Sequence, residues 1–422
     1  MQSLSNISTL TDRVRIVGGG LAGILAAFEA HRLGWRDITL HERFEALGGG
    51  ARPKVIHGRE MRDTGLQLDD AIVETLTAHG ARFETHDNRF GSMSLDFEGH
   101  RVFTWDFAGP AVDCPAYKVG RPADDSLAAR LAAYPPEIAV VLEDYVRWSL
   151  ETDPALIHAD AAPALGIASV FPAAADLQAL AHAKATNPWA NTLYGLPRGL
   201  AGDTADATMV LPVGGFAKLF DGLHWALTRL GVNVELNALV SPRELMDQAA
   251  KDETVVWAAD PAPLFKPMGL TAPGRVDKSV FTYVFAIEGF DGPCPVQVRN
   301  FTTQGSVFRA SLYESGGAQL VAAECVREAD PKTLPTELRT LLSGFGALKL
   351  GPMVHSDVLP RATYPSVAEV EGLGSLRAKL GEHFGDRFVC AWEASTDSAG
   401  LTEVKSALAA ARDATPVLAK AG

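Results

Sequence analysis

A chain of 422 residues has room for two or three units of the usual size, about 150 residues each, and can bury a core without staples. Apolar residues make up 47% and charged residues 21%, which excludes a disordered or fibrous chain. The balance of 38 Lys and Arg against 51 Asp and Glu, a net of -13 with no basic block, argues against a nucleic-acid partner.

Cys114, Cys294, Cys325 and Cys390 are scattered without a CxxC pair, which suits a reducing compartment and supplies neither a zinc cage nor a disulfide framework. Met1 to Asp12 has no basic region, and the first apolar run, Ile16 to Phe28, is broken by glycines and too short to span a bilayer. The expectation is a cytoplasmic protein with no transmembrane segment. No His or acid spacing suits a metal, and no GxSxG elbow is present.

In chain order, Arg13-Val14-Arg15-Ile16-Val17 predicts a short strand that runs into Gly18-Gly19-Gly20-Leu21-Ala22-Gly23. Apolar residues at Leu21, Ile24, Leu25 and Phe28 then keep helical spacing. A second strand, Ile38 to Glu42, ends on an acid and completes a βαβ unit. In GxGxxG, Gly18 permits the tight turn, Gly20 lets the backbone approach a pyrophosphate, and Gly23 lets helix and strand pack closely. The pyrophosphate would rest on the N–H groups at the start of the helix, those of Leu21 and Ala22 among them. Glu42, roughly 20 residues on, can accept from both ribose hydroxyls and repels a 2′-phosphate. The expectation is a dinucleotide site, against glycines that serve only the strand-to-helix turn.

Asp124 to Leu196 is alanine-rich with interrupted helical spacing and reads as a helical insertion. Val210 to Phe216 leads into a helix ending near Leu230, and Val232, Val234 and Leu236 then alternate on the way to Val240. A strand opens at Thr254. From Ser279 to Val326, Val280–Ile287, Val296–Phe301, Val307–Tyr313 and Leu320–Glu324 have strand character and suggest an antiparallel meander. Arg387 to Glu393 reads as a short buried strand, and Gly400 to Ala411 as a helix.

Four of these blocks give the chain a resemblance to the FAD-dependent amine oxidoreductase superfamily, which includes monoamine oxidases, protoporphyrinogen oxidases and phytoene desaturases and, more remotely, UDP-galactopyranose mutases. They are Val17 to Gly23 with Glu42, its neighbour Arg43 and the later Gly48-Gly49-Gly50; Asp63-Thr64-Gly65-Leu66-Gln67; Leu211 to Gly215 with the helix and strand leading to Val240; and Ala391-Trp392-Glu393 with the helix carrying Gly400 and Leu401. The sequence departs from the family in placing Gly50 where an arginine follows the paired glycines, with Arg52 two residues later, and Trp392 where a glycine precedes the last acid. The resemblance implies an α/β protein: a Rossmann-type FAD-binding domain with a parallel sheet, and a discontinuous substrate domain made of an antiparallel sheet and a helical insertion. It places FAD-binding parts at 1–85, 206–272 and 365–422, and substrate-domain parts at 86–205, largely helical, and 273–364. It implies noncovalent FAD, since no cysteine lies in a flavin-linkage motif.

Catalytic candidates are fewer. Similar proteins place a lysine like Lys278 where it holds a water near the flavin, against which stands a solvated lysine at a strand entrance. Arg309 and Tyr313 share one strand face, with Arg299 on the strand before, and a guanidinium there could clamp a carboxylate or phosphate. The alternative is an ion pair of Arg309 with Glu314 or Glu324. His355, Arg361 and Tyr364 precede the final block, and Trp105, Phe107, Trp189 and Tyr194 are candidate walls of an apolar pocket. The expected function is removal of a hydride from a C–N or C–C bond of a small molecule, with electrons passing to oxygen or another acceptor. The alternatives are a non-redox flavin enzyme resembling a sugar mutase, a non-catalytic FAD-binding protein and a nicotinamide-only dehydrogenase. The oligomeric state is not written in the sequence.

Overall fold

A computed structural model of the chain describes residues 13–61, 68–87, 89–96, 98–106, 120–171, 176–196, 208–249, 253–392 and 398–414. The fold is mixed α/β around two main sheets. The first is five-stranded and parallel throughout, in the order Phe388–Cys390, Thr254–Trp257, Arg13–Val17, Asp37–His41, Asn233–Glu235. Its centre is apolar because both faces are covered: Val14, Ile16, Val255 and Val256 have no exposed surface. Helix Leu21–Arg32 lies on it, and ten of its twelve residues are buried, with Ala22, Gly23, Ala26, Ala27 and Ala30 keeping its surface low enough for close approach. Helices Phe216–Arg229 and Ser398–Asp413 join the same core through Phe220, Leu223, Leu401, Val404 and Leu408.

The second sheet has seven strands, in the order Leu348–Tyr364, Val276–Phe290, Ala318–Cys325, Val307–Ser315, Val296–Asn300, Phe90–Leu95, Arg101–Asp106. Every pairing is antiparallel except that of Val296–Asn300 with Phe90–Leu95. One face carries helix Leu334–Leu342 over Phe285, Val298, Leu312 and Val321. The other carries helices Leu127–Ala132 and Pro136–Leu150, whose Leu131, Leu142 and Tyr145 pack with Val276 and Phe301. Among the described residues the other α-helices of the predicted insertion are Leu177–Thr186 and Pro188–Leu193.

Three expectations are corrected. The strands do not form a meander: Val276–Phe290 pairs with Ala318–Cys325 and skips the two strands between them. The link between Phe290 and Val296 holds Pro293 and Pro295, which have no N–H to donate and make it a poor hairpin, whereas Gly316 and Gly317, at φ 58° and 73°, join Val307–Ser315 to Ala318–Cys325 tightly. The stretch read as largely helical also supplies two strands, Phe90–Leu95 and Arg101–Asp106, to the sheet. The strand expected to lead to Val240 stops at Glu235, and helix Pro242–Ala249 follows. Leu348–Tyr364, a 17-residue edge strand, escaped the sequence reading because register shifts against Val276–Phe290 and Pro352 and Pro360 break its alternation. Among the described residues no helix is long and apolar enough to cross a membrane.

Candidate functional site

Beyond the C-terminal ends of strands Arg13–Val17, Asp37–His41 and Thr254–Trp257 lies a cavity of about 650 Å³. This is where open parallel sheets place ligands, because the loops leaving adjacent strands diverge there. Gly18 makes the first turn at φ 103°, and a Cβ on it would come within 2.8 Å of the Ala259 nitrogen, so backbone packs directly on backbone. Its N–H donates to the His41 carbonyl at 2.9 Å. Gly20 then opens the helix in an extended conformation, with no side chain capping the terminus and no acid in the first turn. The N–H groups of this turn are unsatisfied within the helix and carry the positive end of its dipole. Leu21 and Ala22 line the cavity beside Gly20, and a Cβ on Gly20 would meet nothing within 4 Å.

The second glycine turn closes against the first. Gly48 and Gly49 adopt φ 118° and 53°, and a Cβ on Gly49 would lie 3.3 Å from the Gly20 Cα. Gly48, Gly49 and Gly50 all line the cavity, as do Glu42 and Arg43 at the end of the second strand and Val240 across from them. Glu42 is 4% exposed, and its carboxylate accepts from the Gly19 N–H at 2.7 Å and the Phe44 N–H at 2.8 Å. Each oxygen retains acceptor capacity after one such bond. His41 also lines the cavity; its Nδ1 lies 3.0 Å from a Glu235 carboxylate oxygen, and its buried Nε2 has no hydrogen-bond partner among the described residues. Burial, the largest influence, pushes its pKa below the ordinary histidine value, outweighing the nearby Glu235 carboxylate.

Other predicted cofactor residues stand elsewhere. A Cβ on Gly23 would strike the Gly18 carbonyl oxygen at 1.8 Å, so this glycine serves the packing of helix on turn and does not line the cavity. Arg52 points away: its Nη2 donates to Asp221 at 2.8 Å, and it lines a separate cavity of about 750 Å³ with Glu60, Lys218 and Tyr313. Leu401 is 2% exposed in the core of the first sheet, and Gly400 precedes it in the first turn of helix Ser398–Asp413. Gly65, Leu66 and Glu393 lie outside the described residues, as does Phe107.

The catalytic candidates are not gathered at one point. Lys278 and Tyr364 line a small cavity together with Arg299, and the Lys278 ammonium pairs with Glu151. Burial, the leading cause, raises the Tyr364 phenol to about 12. Arg309 pairs with Glu324, the residue opposite it in register, so the ion-pair alternative is the one observed. Tyr313 donates from its hydroxyl to the Glu60 carbonyl at 3.1 Å and lines the 750 Å³ cavity. His355 lies 3.7 Å from Asp357, and the side chain of Arg361 is outside the described set. The expected aromatic walls are dispersed. Trp105 and Trp189 are 46% and 38% exposed, while Tyr194 is fully buried edge-on to Tyr134.

The sequence reading missed His41, Phe44, Ala238, Leu239 and the loop Trp257 to Asp260, all of which line the nucleotide-sized cavity. The signal available was the strand Thr254–Trp257 ending in small residues, because the loop after any central parallel strand faces the same crevice. Trp257 is fixed there by donation from its indole N–H to the Asp260 carbonyl at 3.0 Å.

Three solved structures of similar fold cover nearly the whole chain. A reduced UDP-galactopyranose mutase matches with a TM-score of 0.62 at 12% identity, over 94% of this chain and 93% of its own. Cyclohexylamine oxidase from Brevibacterium oxydans IH-35A matches at 0.57 and 13%, over 95% and 99%. A putrescine oxidase triple mutant redesigned in cofactor binding matches at 0.55 and 14%, over 95% and 98%. The chain therefore shares its fold with this mutase and these two amine oxidases. No protein-family model matches the sequence, and no curated protein does.

Proposed function

We propose that the chain is an FAD-dependent oxidoreductase that holds its cofactor noncovalently in the 650 Å³ cavity and removes a hydride from a C–N or C–C bond of a small molecule. The observation that carries this reading is the contact of the two glycine turns, with Gly49 against Gly20, beside an uncapped helix start and a buried carboxylate. A diphosphate fits the open face at Gly20, Leu21 and Ala22, where backbone donors converge and no side chain fills the space. Glu42, already fixed by two backbone N–H groups, is preorganised to accept from a ribose. Arg43, Phe44, Leu239 and Val240 supply a mixed apolar wall for the base.

Bound FAD supplies the electron chemistry, and the protein's part is to orient substrate and exclude water. In this reading segments 1–85, 206–272 and 365–422 serve the cofactor, segments 86–205 and 273–364 the substrate, and the protein works in the cytoplasm. The mutase and the two oxidases share the fold, so the test must separate redox from non-redox chemistry. Purified protein is titrated with FAD by absorbance and then screened anaerobically and in air against amines, amino acids and unsaturated compounds. Substrate-dependent bleaching with peroxide or dye reduction is the expected result. Activity that needs prior reduction and shows no net redox would favour a mutase, and colourless protein that binds NADH would overturn the flavin reading.

A further inference from the structure

The 17-residue strand Leu348–Tyr364 ends the second sheet, and among the described residues no strand lies on its outer side. An uncovered edge presents N–H and C=O groups that have no ladder to join. Here the Val358 N–H donates to the Asp357 carboxylate of its own chain at 2.8 Å, a local substitute for a neighbouring strand. Met353, Val354 and Val358 are 41%, 37% and 45% exposed, so the same edge also leaves apolar surface in water.

Prolines and bulges commonly blunt such edges, and in this strand they stand at the ends of a short window. Register with Val276–Phe290 is unbroken from His355, opposite Val284, to Leu359, opposite Val280, and the shifts lie on either side. Pro352 and Pro360 flank the window. A proline has no N–H, so a ladder would stop at each without being interrupted between them. The residues inside read alike from both ends: Pro352, Met353 and Val354 precede His355-Ser356-Asp357, and Val358, Leu359 and Pro360 follow it.

We propose that this edge pairs with the same edge of a second copy of the chain, antiparallel, on a two-fold axis through Ser356. Such an axis sets each residue opposite the one equally far beyond it. Ser356 then faces Ser356, Val354 faces Val358 of the second copy, and His355 faces its Asp357. The unlike pair forms twice, once on each side of the axis, and the exposed valines cover one another. An axis through Asp357 would set two carboxylates face to face, and so would a parallel pairing in register, which singles out this arrangement. Asp357, released from the Val358 N–H by a carbonyl across the axis, is free to turn to that histidine. A contact built on one strand from each copy is small beside stable complexes, which bury roughly 1,200–2,000 Å², so the pair is expected to dissociate on dilution. The pairing is independent of the flavin reading.

The test is sedimentation of the full chain, with and without FAD, over a hundredfold range of concentration, where a monomer is expected to pass into a dimer. Val358→Lys and, separately, Val354→Lys are expected to stay monomeric where the unaltered chain pairs, with far-UV circular dichroism and the thermal midpoint of the monomer unchanged. Ser356→Cys, on the axis, is expected to form a disulfide between copies under mild oxidation, since opposite residues of an antiparallel pair stand about 4.5–5.5 Å apart at Cα, within disulfide reach. Val358→Cys is the off-axis control: its two copies would be separated by four residues along the strand, roughly 13 Å or more, and stay unlinked. Peptide mapping distinguishes a bridge at 356 from one through a native cysteine such as Cys294. A chain that stays monomeric throughout would overturn the pairing, whether its edge is covered by its own chain or serves an extended segment of another protein. A dimer that survives both lysine variants, in which Ser356→Cys fails to link, or in which Val358→Cys links as fast, would overturn it as well.

Discussion

The backbone N–H of Gly48 donates to the carbonyl oxygen of Gly19 at 2.8 Å, which locks the second glycine turn onto the first. The bond ties the position of one turn to that of the other, on the rim of the crevice at the helix start. This shared geometry makes the consequences of substitution specific to position.

Gly20 and Gly18 should respond in opposite ways. Gly20→Ala adds a Cβ that meets nothing within 4 Å, so the fold survives while cofactor affinity falls at least tenfold, read by flavin absorbance titration against the midpoint of thermal unfolding. Gly18→Ala forces a side chain to φ 103° against the Ala259 nitrogen and is expected to cost about 1–3 kcal/mol of stability, read by denaturant unfolding without cofactor.

Glu42 is tied to backbone donors on both oxygens, so its removal should weaken the protein even without a nucleotide. Glu42→Ala leaves the N–H groups of Gly19 and Phe44 without their charged acceptor and is expected to cost about 2–3 kcal/mol in urea unfolding. An unchanged midpoint would show that this carboxylate holds only ligand.

His41 gives the stability a pH dependence. Burial holds its folded pKa below the ordinary value of about 6.5, so the unfolded chain takes up a proton that the folded one refuses. Its contribution is complete above about pH 6.5 and is lost as pH falls toward the depressed folded value, below which both states are protonated and the loss levels off. His41→Gln should flatten that part of the profile, measured as urea midpoints at several pH values.

The pair of Arg309 and Glu324 is largely buried, with side chains 19% and 11% exposed. Truncating one partner removes the other's buried counter-charge, so Arg309→Met or Glu324→Gln alone is expected to cost about 3–5 kcal/mol, and the double variant less than the sum. A double-mutant cycle in denaturant measures the difference.

The residues gathered at the nucleotide-sized cavity were legible because they are local. Strand, glycine turn, helix and acid follow one another in one βαβ unit, and the spacing that satisfies the turn also brings Gly18, Gly20 and Glu42 together. Arg52 shows the limit of that logic: its proximity in sequence to the second turn did not fix its direction, which Asp221, on a helix far along the chain, decides. The helices between Leu127 and Leu193 carried their own periodicity, but the strands Phe90–Leu95 and Arg101–Asp106 did not announce which sheet they would join.

By itself the sequence determined the parallel sheet, the turn-to-helix cradle and the fold those blocks resemble, since each depends on backbone freedom and spacing within a short stretch. Only the tertiary structure decided the strand order of the second sheet, the pairing of Arg309 with Glu324 rather than Glu314, and the placing of Arg299 against the Ala164 carbonyl. Register between strands far apart in sequence determines which charges meet, and register is settled by the packing of the whole sheet.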